Sequence, residues 1–283
     1  MTIILDGKKL KEKFLENLKI KIEKLKTAPS LAVILVGDDP ASKIYVKNKE
    51  KTAEKLGIKS QVIVYPSNIE EATIIKKIKE LNNDKSVNAI LVQLPLPAHI
   101  NKQKIINTIS PEKDVDCFTA INYGKLAAGL KPAVYPCTPK GVLLLLDEYK
   151  INLDGKNVVI IGRSNLVGKP MALMALSKNA TVTVCHSHTK NLASITQNAD
   201  LIISAAGTSI IKSGMIKKGC IIIDVGIFKD SNGKIRGDVN FEDVKEQASY
   251  ISPVPGGVGP MTITSLMLNT YELFIAQNSD NNK

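Results

Sequence analysis

Tryptophan is absent from the 283 residues, and aromatic residues of all kinds make up only 4%. The basic, aromatic-rich platform on which single-stranded nucleic acids stack is therefore not expected. Cysteine is scarce too: Cys117, Cys137, Cys185 and Cys220, with no CxxC pair. That argues against a disulfide framework and reads as reduced thiols in a cytoplasmic protein. His186 and His188 stand two apart with no cysteine pair at finger spacing, so no metal site is expected. Long apolar runs are missing as well. The longest charge-free stretch, Gln247 to Tyr271, contains Pro253, Pro255, Gly256, Gly257, Gly259 and Pro260, which a membrane-spanning helix does not tolerate. The opening MTIILDGKKL has no basic region ahead of an apolar run and reads as neither a signal nor a transit peptide. Acids are outnumbered, 27 against 38 lysines and arginines, for a net charge of +11. Two readings of that excess stay open: a solvated lysine-rich surface, or a positive field that attracts a polyanion. Nucleic acid is the weaker candidate, given the few aromatics.

What is present is an alternating pattern long enough for two domains, at about 150 residues each. An opening helix over Lys8 to Lys26 repeats Leu10, Phe14, Leu18, Ile22 and Leu25 every three or four residues. Three β-rich runs follow, LAVILV (Leu31 to Val36), QVIVY (Gln61 to Tyr65) and NAILVQ (Asn88 to Gln93). Helical patterns separate them at Ala41 to Leu56 and Ile69 to Leu81. Strand and helix in alternation predict an α/β unit with parallel strands. TPKGVLLLLDEY (Thr138 to Tyr149) reads as a connecting helix. A second set then runs VVIIG, TVTVC, DLIIS and CIIID, between Val158 and Asp224. Its near-continuous apolar runs suit strands covered on both faces. Ser110 to Tyr135 shows no clear period. A last helix spans about Thr262 to Gln277 and can return to the first domain.

VVIIG is followed by RSNLVGKP and the helical run MALMALSK. A strand, a glycine turn and a helix N-terminus offer free N–H groups and a favourable dipole to phosphate. The dinucleotide pattern Gly-x-Gly-x-x-Gly is only partly met: its positions are Gly162, Ser164 and Val167, with Gly168 one place late. A tight turn without ligand remains the alternative. A P-loop is excluded, since Lys169 precedes Pro170 instead of serine or threonine. The next strand ends in CHSHT, without the acid that binds the ribose of NAD. Arg163, Ser187 and His186 instead offer donors, which favours the 2′-phosphate of NADP.

In the helix after LAVILVGDDP, Lys49 falls on the stripe of Ala41, Tyr45, Thr52, Ala53 and Leu56. A lysine there either snorkels or has a partner and a task. Both this helix and Gln93 follow the carboxyl ends of strands, where open α/β sheets bind ligands, so Tyr45, Lys49 and Gln93 can converge.

These stretches (VGDDPASKIYVKNK, ILVQLPLP, PEKDVD, PCTPKG, IGRSNLVGKP and SPVPGGVGPMT) resemble, in order, the bifunctional methylenetetrahydrofolate dehydrogenase/cyclohydrolase family. The resemblance implies two α/β domains with a cleft between them, the second a Rossmann-like doubly wound parallel sheet. It implies a folate-binding catalytic domain over 1–118 plus 262–283 and an NADP-binding domain over 119–261. The activity it implies belongs to one-carbon metabolism: NADP-dependent oxidation of 5,10-methylenetetrahydrofolate to the methenyl form, then hydrolysis to 10-formyltetrahydrofolate. By motif, Lys49 corresponds to the catalytic lysine, Gln93 to its tuning partner and Tyr45 to a residue that stacks on folate. Asp116 corresponds to the residue that holds the pterin, with Gly259 and Pro260 near folate. Gly162, Arg163, Ser164, Ser187 and Ile227 line the cofactor site. Tetrahydrofolate derivatives are the implied partners, and a homodimer the implied assembly, with no metal, nucleic acid or membrane. One departure stands out. The family pattern DVDG is DVDC here, with Cys117 after Asp116. A negative φ is expected at Cys117, because a strained loop would misplace the carboxylate. Two other readings remain: a member with one of the two activities, and a non-catalytic basic nucleotide- or RNA-binding protein.

Overall fold

Ser30–Val36 is the centre of a three-stranded parallel sheet, with Lys59–Tyr65 on one side and Ala89–Val92 on the other. The period of two along LAVILV explains why the whole run is apolar. Leu31, Val33 and Leu35 face one layer, built from Leu18, Ile22, Val46, Ala53, Leu266 and Leu273. Ala32, Ile34 and Val36 face the other, built from Ile74, Ile78, Leu81 and Ile105. Each buried Val, Leu or Ile side chain among them contributes about 1.5–3 kcal/mol. The helices that supply these layers include Pro40–Lys55, Glu71–Asn83 and Lys102–Thr108.

The computed structural model describes residues Met1–Ser279 and divides them into two compact units. One comprises Phe14–Cys137 and the described residues from Ile263 onward; the other comprises Met1–Lys13 and Thr138–Thr262. The last helix, Val258–Ser279, serves the first of these through Asn269, whose Nδ2 donates to the carbonyls of Val115 and Tyr135, both at 2.8 Å. The aperiodic segment Ser110 to Tyr135 contains a short helix, Ala120–Ala127, capped by the Thr119 side chain.

The second unit holds a six-stranded parallel sheet. Its order is Ile3–Ile4, Tyr250–Ile251, Ile221–Asp224, Leu201–Ser204, Asn157–Ile161, Thr181–Cys185. Two of these strands are only two residues long. The chain goes from Asn157–Ile161 outward to Thr181–Cys185, then returns to the other side at Leu201–Ser204. That reversal is the topological switch point, where the carboxyl ends of strands leave a crevice for a ligand. No described helix is long and apolar enough to cross a membrane.

Candidate active site

The helix carrying Lys49 starts abruptly. Asp39 caps it by accepting from the Ser42 N–H at 2.7 Å, and Pro40 presets the first turn. That entry fixes which face meets the sheet. Ser42, Val46, Thr52 and Ala53 are buried, whereas Ala41 and Tyr45 are exposed. The expected inward stripe is therefore core only in its second half. In the first half the core face lies one residue on, about 100° around the helix. Tyr45 keeps 42% of its surface open, and Lys49 sits half-buried where the exposed and buried halves of the stripe meet.

Lys49 Nζ donates to Gln93 Oε1 at 2.9 Å. Gln93 is fixed on two other sides: its backbone N–H donates to the Ile34 carbonyl at 2.9 Å, and its Nε2 donates to the Leu94 carbonyl at 2.7 Å. The amide is thereby oriented with its oxygen toward the ammonium. Asp116 lies within electrostatic reach of the same lysine. Burial raises its carboxyl above the ordinary range, while the Lys49 charge and the Cys137 thiol act in the opposite direction and Asp114 adds to the rise. A lysine held by an oriented amide, with a carboxyl group nearby, can move a proton at a bound substrate.

The loop bearing Asp116 turns on Asp114. The buried Asp114 carboxylate accepts from the N–H groups of Phe118 and Thr119, the Thr119 hydroxyl and Asn122 Nδ2, at 2.7–3.1 Å. To deliver those donors the chain must fold back directly after Asp116. Cys117 accordingly takes φ = 60°, against the negative value expected from sequence, and its N–H closes the turn on the Asp114 carbonyl at 3.3 Å. The family's glycine is the residue that adopts this conformation freely. Cys117 is fully buried, and burial followed by Asp114 and Asp116 pushes its thiol far up.

In the six-stranded unit, Gly162 follows strand Asn157–Ile161 with φ = 120°, and a Cβ there would lie 2.5 Å from the Ala205 carbonyl oxygen. Gly168, one place late in the pattern, opens the helix Gly168–Leu176. A Cβ on it would lie 2.1 Å from the Gly162 carbonyl oxygen. It therefore provides the close helix–strand approach that the third fingerprint glycine provides elsewhere. Arg163 and Ser164 are exposed at the turn, and Ser164 Oγ accepts from the Val167 N–H at 3.1 Å. Arg163 makes no ion pair among the described residues. Ser187 is exposed beyond the end of Thr181–Cys185, and Ile227 is exposed beyond Ile221–Asp224. His186 is held by its N–H to Thr189 Oγ1 at 2.8 Å. Gly259 and Pro260 lie in the first turn of Val258–Ser279. A Cβ on Gly259 would meet no atom of the described residues within 4 Å, so packing does not explain this glycine. Sequence reasoning named Gly168 only as a glycine one place late, and missed Asn269 together with two buried acids, Asp224 and Asp238, under the carboxyl edge of the six-stranded sheet. The only sequence signal for the acids was the aspartate ending the apolar run CIIID.

Residues 5–116 match the catalytic domain of tetrahydrofolate dehydrogenase/cyclohydrolase, and residues 136–278 match its NAD(P)-binding domain. The bifunctional protein FolD of Thermodesulfovibrio yellowstonii is 54% identical over 270 residues, covering 94% of each chain. The crystal structure of the bifunctional FolD methylenetetrahydrofolate dehydrogenase/cyclohydrolase from Campylobacter jejuni is 52% identical. It has a TM-score of 0.96 and covers 99% of this chain and 100% of that one. The Trypanosoma brucei enzyme, solved with NADP cofactor and inhibitor, is 34% identical with a TM-score of 0.92, over 97% of this chain and 98% of that one.

Proposed function

The chain belongs to the tetrahydrofolate dehydrogenase/cyclohydrolase family, and from that premise we propose that it oxidises 5,10-methylenetetrahydrofolate with NADP and hydrolyses the methenyl product to 10-formyltetrahydrofolate. The observation that carries this reading is the Lys49–Gln93 pair, 2.9 Å apart on the carboxyl side of the three-stranded sheet. The donors at the other sheet suit NADP: a glycine turn under a helix N-terminus, an exposed guanidinium at Arg163, and no acid where NAD needs one.

In the first step a C–H bond of the one-carbon bridge breaks and its electron pair leaves as hydride. NADP, when bound, accepts that hydride. The folate is left as an amidinium cation spread over N5, carbon and N10. In the second step water adds to that carbon, one proton is lost, and the C–N5 bond opens to leave the formyl group on N10. Lys49, the ammonium that donates to Gln93, delivers a proton to N5 as it departs and takes back the proton left on the added oxygen. Gln93 holds the lysine in place for both transfers. Asp116 accepts from the polar edge of the pterin. Tyr45, with its ring exposed, stacks on the folate. Arg163 grips the 2′-phosphate, Ser164 and Ser187 add hydroxyl donors, and Gly162 and Ile227 line the nucleotide.

Mixing the protein with methylenetetrahydrofolate and NADP tests both steps. NADPH absorbance should rise, and the methenyl absorbance should then decay without further addition. No NADPH formation overturns the reading, and a stable methenyl signal reduces it to the dehydrogenase alone. A homodimer, tested by sedimentation at assay concentration, and a cytoplasmic location complete the proposal. The four buried free thiols suit a reducing compartment.

A further inference from the structure

Two carboxylates lie under the carboxyl edge of the six-stranded sheet with no ion-pair partner among the described residues. Asp224 is 3% exposed and Asp238 is 0% exposed. Burying such groups is costly unless hydrogen bonds replace water. Asp224 accepts from the N–H groups of Gly226 at 3.2 Å, Asp238 at 2.9 Å and Val239 at 3.0 Å. Asp238 accepts from Ser204 Oγ at 2.8 Å and from the N–H groups of Ala206 at 2.6 Å and Thr208 at 2.9 Å. Asp224 thus fixes Asp238, and Asp238 fixes the loop after strand Leu201–Ser204. Ala206 and Thr208 are themselves exposed. The buried acid therefore spends two of its bonds ordering surface backbone.

That backbone borders the switch point. The Ala205 carbonyl is the atom against which Gly162 packs, and the Ala205 N–H donates to the Ile161 carbonyl at 2.7 Å. Asp238 also supports the loop after the adjacent strand, Ile221–Asp224. A Cβ on Gly226 would fall 1.8 Å from Asp238 Oδ1, so this carboxylate sets the height of the backbone leading to the exposed Ile227. A Cβ on Gly237 would similarly fall 2.0 Å from Asp224 Oδ2.

We propose that Asp238, itself held by Asp224, is a positioning residue for cofactor binding, setting the Ala205–Thr208 loop and the Gly226–Ile227 backbone, which follow adjacent strands at the carboxyl edge beside the nucleotide crevice. The proposal rests on the functional reading above.

Asp238→Asn keeps the shape but replaces one accepting oxygen with an NH2 group. Gly226→Ala drives a methyl group into the same carboxylate from the other side. Each should raise the KM for NADP at least tenfold and leave the KM for methylenetetrahydrofolate within twofold. NADP-free hydrolysis of methenyltetrahydrofolate reports whether the rest of the protein is intact. Ser204→Ala, which removes only the hydroxyl donor, should give the same split at a few-fold and serves if Asp238→Asn does not fold. An unchanged KM for NADP in these variants overturns the proposal, as does a parallel rise in both KM values. A wild-type protein that binds no NADP overturns the functional reading and this proposal with it. A wild type that binds NADP no better than Asp238→Asn overturns this proposal alone.

Discussion

In the three-stranded unit the candidate catalytic groups bond to one another: Lys49 to Gln93, with Asp116 in electrostatic contact. In the six-stranded unit Arg163, Ser164, Ser187 and Ile227 are all exposed. There the ordering is done from beneath, by glycines without room for a Cβ and by the buried acids. The difference follows from the tasks. A proton transfer needs its partners within hydrogen-bond reach before substrate arrives. A phosphate site can leave its cations in water, provided the backbone that carries them is rigid.

Lys49→Met breaks the first arrangement and should have the largest effect. Hydrolysis of methenyltetrahydrofolate should fall by about 10²–10⁴-fold, the usual share of a general acid–base group, with NADP affinity unchanged. Stopped-flow decay at the methenyl band measures it, and near-wild-type decay would remove Lys49 from the mechanism.

Asp224 tests the support beneath the second arrangement. Burial, opposed by its three N–H partners, pushes its carboxyl up to about 7 from the ordinary 3.8. Folding therefore takes up a proton between those values. The group contributes most at low pH, and that contribution is lost as pH rises through about 7. The stability margin of the wild type over Asp224→Asn should shrink by about 2–3 kcal/mol between pH 5 and 8. Urea titrations at both pH values check this, and a margin that widens toward pH 8 contradicts it.

Arg163→Ala separates the exposed cations from their support. It should weaken NADP by about 1.5–3 kcal/mol, the scale of a charge-assisted hydrogen bond, and leave NAD nearly unaffected. Calorimetric titration with both nucleotides decides; equal losses would place the arginine elsewhere.

The smallest effect belongs to Cys117. Left-handed backbone costs a non-glycine residue about 1–2 kcal/mol. Glycine at this position should therefore give a protein about 1 kcal/mol more stable than alanine, reversing the usual order. Alanine equal to or better than glycine in thermal unfolding would mean that the turn carries no strain.

Short apolar runs and their spacing made the two sheets legible in the sequence, because Ser30–Val36, Asn157–Ile161, Leu201–Ser204 and Ile221–Asp224 bury both faces. Ile3–Ile4 was not legible: two residues show no period, and their partner stands near position 250. Nor was the helix Ala120–Ala127, whose start depends on Thr119 and the fold-back around Asp114. Lys49 could be read as inward because it lies among residues that do reach the core, but the exposure of Tyr45 came from how Asp39 and Pro40 start the helix. The positive φ of Cys117 follows from four donors converging on Asp114, a constraint that involves residues up to Asn122 and is invisible at position 117 itself. Asp224 and Asp238 are fourteen residues apart and meet only once the sheet exists.

The pairing of Ile3–Ile4 with Tyr250–Ile251 also sets a schedule for the ribosome. Thr2 is tied to the Ala248 carbonyl at 2.8 Å, and Leu5 donates to the Ile251 carbonyl at 2.9 Å. At about 5–20 residues per second, the first strand waits roughly 12–50 s for its neighbour to be synthesised. Asn269 closes the other unit later still. A nascent chain halted before Tyr250 should therefore expose its amino-terminal residues to protease, however much of Leu31 to Asp224 has already condensed.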